Sequence, residues 1–325
     1  MREMDVVIPV APKDFFKLRR CIEGILRCSK NPIRTLHVIS PTPITLADGS
    51  LPEQVRQHGE EGFPFTLADV TRVLASRGCE YPNGSWYYQQ LLKLYVFRVI
   101  PDLLPETLIL DSDFVFTGEV EFLDEHGRAL LALGYPLHWE LQGREDPGRH
   151  EHVHATFARY LVPGFSSRHT FSGMHHHLLL QRDILEELMA LAEAHHQKPF
   201  WRAFMEGVDV TKWNAASEYV LYHHFALGRF PDKVATRHLD TCDVIYDASA
   251  GEHVERLFHE PLPPSGHQAM GFHGFLDLGK RLQTMDYLSD ELRRWMLATG
   301  SPSFALTLEQ GRLRIHPWPH QARAA

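Results

Sequence analysis

The sequence has few cysteines and no long apolar run, and both absences exclude classes of protein. Only four cysteines occur among 325 residues, and no two form a Cys-x-x-Cys pair. Isolated thiols of this kind are typical of a reducing compartment. No segment approaches the roughly 20 apolar residues that span a bilayer, and the amino-terminal apolar run is too short for a signal peptide. We therefore expect a cytoplasmic protein, either free or peripheral to the inner face of the membrane, with no transmembrane segment.

An excess of basic charge is also missing. Lys and Arg number 33 against 41 Asp and Glu, which gives a net charge of -8. A sequence-independent nucleic-acid binder carries a basic face, so the balance argues against nucleic acid as a partner. Hydrophobic residues make up 44% of the chain, which is enough for a large core.

Histidine is abundant, but the ligand spacings of a structural zinc site are missing. The 22 histidines include clusters at residues 175–177, 195–196 and 223–224. Neither paired cysteines nor a His-Glu-x-x-His helix accompanies them, so we do not expect zinc. The clusters are either polar faces or residues of a binding cleft.

The first 40 residues predict a strand, a helix and a second strand. Residues 5–11, DVVIPVA, form an apolar run typical of a strand buried on both faces. Apolar residues recur at helical spacing through residues 13–29, and residues 33–40 read as the second strand. Such a βαβ unit has parallel strands and a right-handed crossover.

The rest of the chain continues the α/β pattern without a repeat or a linker. Helices are predicted at residues 65–78 and from about Ser85 to Pro101, followed by the strand TLILD at residues 107–111. Downstream we expect a strand at residues 174–180 with a helix after it, and a helix beginning near Asn214 or Ser217. The prediction is one α/β domain with a mixed, mainly parallel sheet flanked by helices and a decorated carboxyl-terminal half.

The predicted strand at residues 107–111 runs into two carboxylates, in the sequence LILDSDFVF. Ligands of open parallel sheets bind at the carboxyl ends of strands, and carboxylate oxygens suit Mg²⁺ or Mn²⁺. A solvated turn is the alternative. Apolar residues on both sides, the βαβ opening and the lack of a turn-forming Gly or Pro favour a metal site at Asp111 and Asp113.

With these residues in hand, the chain resembles a GT-A glycosyltransferase, the Rossmann-like nucleotide-diphospho-sugar transferase fold. DVVIPVAPKD resembles its first nucleotide-binding strand and loop, and LILDSDFVF its Asp-x-Asp motif. The helices WYYQQLLKLYVFRVIP and WNAASEYVLYHHF resemble those of a bacterial subgroup. The resemblance implies a GT-A domain at residues 1–285, with a nucleotide-binding half at 1–120 and an acceptor-binding half at 121–285. Residues 286–325 would form a carboxyl-terminal extension packed on the domain.

The resemblance also implies site residues. The metal, Mn²⁺ or Mg²⁺, would be held by Asp113, Asp111 and His273, with Asp113 favoured over Asp111 as the ligand. Donor-binding residues would be Pro9, Val10, Ala11, Lys93, Asp111, Ser112 and Lys280. Two of the implied site residues have ordinary alternatives. Lys93 could be a solvated helix lysine, and His273 could be a core histidine.

The implied reaction moves a sugar from a UDP-, GDP- or dTDP-sugar to an acceptor hydroxyl. An inverting enzyme needs a general base, and Glu218 at a predicted helix N-terminus is the candidate. The alternative for Glu218 is a first-turn acid that favours the helix dipole. The acceptor, a glycan, a lipid-linked molecule or a small molecule, would contact His175, His176, His177 and Trp213.

Three other functions stay open from the sequence. A sugar-phosphate nucleotidyltransferase also uses paired carboxylates, but it normally has a glycine-rich loop where VIPVAPKDF has no glycine. A metal-dependent hydrolase would use Asp111 as its nucleophile. A non-catalytic protein would bind a nucleotide sugar or a protein partner through the same fold.

Overall fold

The computed structural model describes residues 2–46, 49, 51–79, 83–134, 152–247, 258, 266–276, 303–309 and 312–317. The strands in these residues are β1 Met4–Pro9, β2 Ile33–Ile39, β3 Val55–His58, β4 Glu106–Leu110, β5 Phe114–Phe116, β6 Ala129–Ala132, β7 His177–Gln181, β8 Val234–Arg237, β9 Thr241–Asp247, β10 Ala269–Leu276, β11 Ser303–Glu309 and β12 Arg312–Pro317. The α-helices are α1 Phe15–Cys28, α2 Leu67–Ser76, α3 Gly84–Leu94, α4 Val96–Val99, α5 Val153–Leu161, α6 Arg182–His196, α7 Phe200–Gly207 and α8 Glu218–Arg229.

A mainly parallel sheet confirms the predicted α/β class. Its strand order is β3-β2-β1-β4-β7, in which the first four strands are parallel and β7 is antiparallel to β4. Strands β1 and β2, joined by α1, are parallel neighbours as the βαβ pattern predicts. All six residues of β1 are buried, which explains its continuous apolar sequence.

A second five-stranded sheet lies beside the first. Its order is β12-β11-β9-β10-β5, with β9 and β10 parallel and the other pairs antiparallel. The prediction of a decorated carboxyl-terminal half did not include a second sheet. Strands β11 and β12 lie within residues 286–325, and β11 pairs with β9. The domain boundaries at residues 120 and 285 stay predictions.

Helix α1 packs against β5 and against the segment that joins β4 to β5. Cys21, Gly24 and Cys28 recur at helical spacing on its buried face. A Cβ at Gly24 would lie 2.8 Å from the carbonyl oxygen of Phe116, so glycine allows the helix to contact β5. The Cys21 thiol approaches the carbonyl oxygen of Asp111 at 3.6 Å. The helix therefore supports the chain where it leaves β4.

Among the described residues, no helix has the length and apolar character needed to cross a membrane. The four cysteines are free thiols, and three of them are buried. A large apolar core lies between the first sheet and its helices, and a smaller one underlies the second sheet.

Candidate functional site

The Asp-Ser-Asp segment is the turn at which the chain crosses from the first sheet to the second. Asp111 follows β4 and its amide donates to the carbonyl of His176 at 2.9 Å, so it still pairs with the β7 side. The Phe114 amide closes the turn on the carbonyl of Asp111 at 3.1 Å. The carbonyl of Asp113 already accepts from the Phe272 amide in β10 at 2.8 Å. The two carboxylates consequently face different neighbours.

Asp111 belongs to a buried ionic cluster that also contains Lys93 and Glu218. The Lys93 ammonium lies 2.6 Å from Asp111 Oδ1 and 2.7 Å from Glu218 Oε1. The Tyr219 hydroxyl donates to Asp111 Oδ2 at 3.0 Å and lies 3.1 Å from Lys93 Nζ. Lys93 and Glu218 are each 3% exposed. The alternative of a solvated surface lysine at position 93 is therefore wrong.

Two contacts hold α8 in place beside α3. The Gln90 side chain donates to the carbonyl of Ala216 and accepts from the Glu218 amide, both at 3.1 Å. Ser217 is the N-cap of α8, and its hydroxyl accepts from the Val220 amide at 3.3 Å. Glu218 is thus the first residue of the helix, as the sequence predicted. Gln90 and Lys93 lie three residues apart, so one face of α3 makes both contacts.

Burial and charge act in opposite directions on the pKa values of this cluster. Burial alone would lower the pKa of Lys93, but the carboxylates of Asp111 and Glu218 outweigh it and raise this pKa above its ordinary value. Burial tends to raise the pKa of Asp111, yet Lys93 and His176 bring it below the usual range. For Glu218 burial prevails over Lys93, so its pKa is raised.

Asp113 faces a second group, made by residues of the second sheet. Its Oδ2 lies 3.6 Å from His273 Nδ1, and the other ring nitrogen of His273 lies 3.3 Å from Asp243 Oδ1. Asp243 and His273 come from the neighbouring parallel strands β9 and β10. A carboxylate at Nε2 holds a proton there, so a cation that displaces the proton of Nδ1 would find the lone pair of that nitrogen on the side of Asp113, which is the arrangement that orients a metal-binding histidine.

The carboxylates dominate the electrostatics of this second group. Burial would lower the pKa of His273, but Asp113 and Asp243 together raise it to about 10. Burial would raise the pKa of Asp113, whereas His273 and Lys17 lower it well below its usual range. Without another cation, the imidazolium of His273 therefore balances part of the negative charge of this group.

The three consecutive histidines have two different environments. His175 and His177 are buried and pack on the ring of Phe114, at centroid distances of 5.9 and 5.6 Å. Burial lowers the pKa of His175 to about 4, so it is neutral near pH 7. His176 has a φ of 54°, a left-handed conformation that costs a non-glycine residue about 1–3 kcal/mol and is frequent at functional sites. This conformation starts β7 at residue 177 rather than at the predicted 174, and it turns His176 toward Asp111 and Asp243.

Three residues of this region could together hold a metal ion. Asp113, His176 and His273 each place one potential ligand atom within 4.8 Å of the other two. A six-coordinate ion with ligands at about 2.1 Å separates adjacent ligand atoms by about 3 Å and opposite ones by about 4.2 Å. Asp111, the other predicted ligand, is engaged by Lys93 and Tyr219 at this edge of the site.

The remaining predicted residues lie at several places. Pro9 and Val10 are buried at the carboxyl end of β1, and Ala11 is exposed just beyond them. Ser112 is buried between the two aspartates. Trp213 is 50% exposed, and the Asn83 side chain at the start of α3 donates to its carbonyl. Lys280 lies outside the described residues. Their roles in binding donor or acceptor stay predictions.

Three residues close to the carboxylates were missed by sequence reasoning. Asp243 lies within TCDVIYD, a strand with an apolar pattern in which Asp243 is buried. Tyr219 directly follows Glu218 in the predicted helix. Lys17 lies on α1, buried, with its ammonium 2.8 Å from Asp14 Oδ1 and 5.7 Å from the centre of the Tyr246 ring. An acid or a lysine at an otherwise apolar face was the available signal for Asp243 and Lys17.

A separate histidine cluster, His169, His223 and His224, also brings potential ligand atoms within 4.8 Å of one another. The Nδ1 atoms of His169 and His224 accept hydrogen bonds from the backbone amides of Phe171 and Arg168, at 3.1 and 3.0 Å. The proton of each neutral ring therefore lies on Nε2, which removes that lone pair from metal binding. This arrangement favours a hydrogen-bonded histidine cluster over a metal site.

Comparisons with known proteins gave structural similarity only. No family model matches the chain, and no curated protein matches its sequence. Among solved structures, an active-site mutant of LgtC is 14% identical with a TM-score of 0.44, covering 92% of this chain and 96% of that one. The galactosyltransferase LgtC with donor and acceptor sugar analogs is also 14% identical, with a TM-score of 0.41 and the same coverage. Mouse xyloside xylosyltransferase 1 is 14% identical with a TM-score of 0.39, covering 84% of this chain and 98% of that one.

Proposed function

We propose that this protein is a metal-dependent GT-A glycosyltransferase that moves a sugar from a nucleotide-diphosphate donor to an acceptor hydroxyl. One observation carries the proposal. At the carboxyl edge of a parallel sheet, the turn after β4 directs Asp113 toward His273 and Asp111 toward a buried lysine and glutamate. Ligands of open α/β sheets bind at this edge, and Asp113 with His273 suits a divalent cation.

The donor would bind between the first strand and the Asp-Ser-Asp turn. Pro9, Val10 and Ala11 contact the nucleobase and ribose, and Ser112 with Asp111 contacts the ribose or donor sugar. Asp113 and His273 hold Mn²⁺ or Mg²⁺, with Asp111 at the edge of that site. When bound, the cation supplies Lewis acidity that offsets charge on the departing nucleoside diphosphate. Lys280 would add positive charge for the phosphates, whereas Lys93 is paired with Asp111 and Glu218.

Glu218 is the proposed general base of an inverting transfer. Burial raises the pKa of Glu218, which strengthens its carboxylate as a proton acceptor, and the Lys93 ion pair keeps it ionised. The acceptor sugar would stack on the exposed ring of Trp213. His175 and His177 are packed among aromatic rings, a setting that favours a supporting role over direct acceptor contact.

Thermal unfolding with nucleotides tests donor binding. We expect one of UDP, GDP or dTDP to raise the midpoint only when Mn²⁺ is present, because Asp113 and the phosphates would hold the cation together. Asp113→Ala should lose the shift, and Asp240→Ala, which removes an exposed carboxylate, should retain it. If none of the three nucleotides gives a metal-dependent shift, the proposal is wrong.

Glu218→Gln distinguishes a base from a residue that only positions Lys93. Loss of a general base lowers kcat by about 10²–10⁴ with little change in donor KM. A positioning role predicts a raised donor KM, because Lys93 would lose one of its two carboxylate partners. Nuclear magnetic resonance of the product gives the anomeric configuration, and a retained configuration contradicts the base assignment.

A phosphate-ester hydrolase with Asp111 as nucleophile is disfavoured by the same geometry. Lys93 engages one oxygen of Asp111 and the Tyr219 hydroxyl donates to the other. A nucleophilic carboxylate needs a free oxygen in line with its target. Nucleotide release that depends on an added acceptor separates a transferase from a hydrolase, and also from a nucleotidyltransferase or a non-catalytic binder.

A further inference from the structure

His176 is directed toward the carboxylates of Asp111 and Asp243 by its backbone rather than by strand alternation. Its φ of 54° lies in the left-handed region, which is uncommon for residues other than Gly, although Asn, Asp and His adopt it more often than most. Its carbonyl still pairs with the Asp111 amide at 2.9 Å, so the conformation is fixed by the β4–β7 ladder. The two flanking histidines enter the core, and only His176 of the three faces the carboxylates.

The ring of His176 lies against that of His273. Their centroids are 4.4 Å apart at an interplanar angle of 35°. The nitrogens of His176 lie 3.5 Å from Asp111 Oδ2 and 3.8 Å from Asp243 Oδ1. Both distances exceed the 2.7–3.2 Å of an ordinary N–H···O hydrogen bond. Neither contact therefore commits a His176 nitrogen as firmly as a normal hydrogen bond does.

We propose that His176 is a ligand of the divalent cation, so that the metal centre contains Asp113 and two imidazoles. The potential ligand atoms of Asp113, His176 and His273 lie together within 4.8 Å. This inference rests on the proposed metal-dependent transfer and names a further ligand for its cation. The His176 side chain is 28% exposed, so the ring can adjust to an incoming ion. The left-handed conformation of His176 is then explained by metal binding.

The donor set determines which cation the site prefers. Mg²⁺ favours oxygen ligands in a near-ideal octahedron, whereas the affinity of a site with nitrogen ligands rises from Mn²⁺ to Co²⁺. Two histidines therefore favour Mn²⁺ or Co²⁺ over Mg²⁺. A centre in which Asp111 and Asp113 supply oxygens and His273 the only nitrogen would discriminate less.

Binding of Mn²⁺ to the full chain, free of nucleotide, tests the proposal without enzyme activity. The variants are His176→Gly and His176→Asn, because both residues tolerate the left-handed backbone. The matched control is His126→Asn, which changes an exposed histidine next to Glu125. Electron paramagnetic resonance of unbound Mn²⁺ gives the dissociation constant, and electron spin echo modulation counts the nitrogens coordinated to the ion.

We expect the unaltered protein to bind one Mn²⁺ through two nitrogens, and both His176 variants through one. Their dissociation constants for Mn²⁺ should rise at least tenfold, with a smaller rise for Mg²⁺, while His126→Asn has no effect. The melting temperature of His176→Gly without metal should stay level or rise, because glycine relieves the left-handed strain, so weaker binding would not reflect misfolding.

An unchanged Mn²⁺ affinity and nitrogen count in the His176 variants would overturn the proposal, and so would a single nitrogen in the unaltered protein. The proposed function has a separate failure. If two nitrogens coordinate Mn²⁺ but no nucleotide sugar is bound or consumed, the ligand assignment stands and the transferase assignment is wrong. If sugar transfer occurs and His176 does not affect the metal, only the ligand assignment fails.

Discussion

At the scale of single residues, Gly271 gives Asp243 and His273 the space to meet. A Cβ at position 271 would lie 2.4 Å from Asp243 Oδ1 and 2.6 Å from His273 Nε2. Real Cβ atoms essentially never show such short contacts, so a side chain there would force Asp243 or His273 to shift. The orientation of His273 therefore depends on the absence of a side chain two residues earlier on the same strand.

Changes at this contact should weaken metal binding while the fold is retained. Gly271→Ala and Asp243→Asn should each raise the dissociation constant for Mn²⁺ by about 10–100-fold, as is typical for the partner of a metal-binding histidine. Asp240→Asn is the control, because Asp240 is exposed and contacts His267 at 2.9 Å. Calorimetric titration with Mn²⁺ measures the effect, and equal affinities for all four proteins would contradict the role of Asp243.

Lys93 is the second residue on which the site depends. Lys93→Met leaves the carboxylates of Asp111 and Glu218 buried without their cation, and loss of one partner of a buried pair costs about 3–5 kcal/mol. Urea unfolding should show this loss, and adding Glu218→Gln should recover part of it. The control is Lys30→Met, whose exposed pair with Glu119 contributes at most about 1 kcal/mol. Equal losses for both lysines would contradict the buried cluster.

At the scale of elements, the turn between β4 and β5 organises the site because it joins the two sheets. β4 pairs within the first sheet, and β5 pairs with β10 in the second. The proposed metal ligands Asp113 and His273 therefore come from the turn and from the second sheet. Lys93 and Glu218 come from helices α3 and α8, which pack on the first sheet. Strand β5 has only three residues. Helix α1 packs against it, and the Cys28 thiol contacts the carbonyl oxygen of Phe116.

The N-cap of α8 should affect activity as well as stability. Ser217→Ala removes the acceptor for the Val220 amide and should cost about 1 kcal/mol in the free energy of unfolding. Because α8 begins with Glu218, we also expect lower sugar transfer. Thr66→Ala is the matched control, as Thr66 caps α2 through the Asp69 amide outside the site. If both variants lose activity equally, the α8 cap has no specific role.

The sequence predicted the elements whose signal is local and missed those that depend on which strands meet. The apolar run of β1, the spacing of α1 and the carboxylates after β4 are local, and each is where the sequence predicted it. The sequence could not assign Asp243 to the site, because its neighbour His273 is 30 residues away. Neither segment alone indicates that β9 pairs with β10. The left-handed conformation of His176 could not be predicted either, since three consecutive histidines do not indicate which of them adopts a positive φ.

At the scale of the whole molecule, the unusual feature is the burial of neutral histidines. Burial lowers the pKa of His37, His175 and His224 to about 4. It lowers the pKa of His177 and His223 well below the ordinary value. These rings lie in the first sheet, behind Phe114 and on α8, so the effect is spread through the fold. Their folded forms stay neutral at a pH where an unfolded chain would protonate them.

Stability should therefore fall as the pH is lowered from about 6.5 to 4.5. Each such histidine protonates in the unfolded state first, which removes about 1.4 kcal/mol per pH unit below the unfolded pKa of about 6.5. His273 has the opposite sign: its raised pKa contributes fully below pH 6.5 and is lost as the pH rises toward 10, so it does not offset the acid effect. Urea unfolding across this pH range measures the slope, and a flat profile would contradict the buried neutral histidines.

The central claim, metal-dependent sugar transfer at Asp113, is tested most directly by nucleoside diphosphate release from a panel of UDP-, GDP- and dTDP-sugars. We expect one donor to be consumed by the unaltered protein in the presence of Mn²⁺ and an acceptor, with release abolished by a chelator and restored by Mn²⁺. Asp113→Ala should lose this release and keep its fold by circular dichroism. Release that persists in folded Asp113→Ala, or no release from any donor of the panel with Mn²⁺ present, would contradict the account.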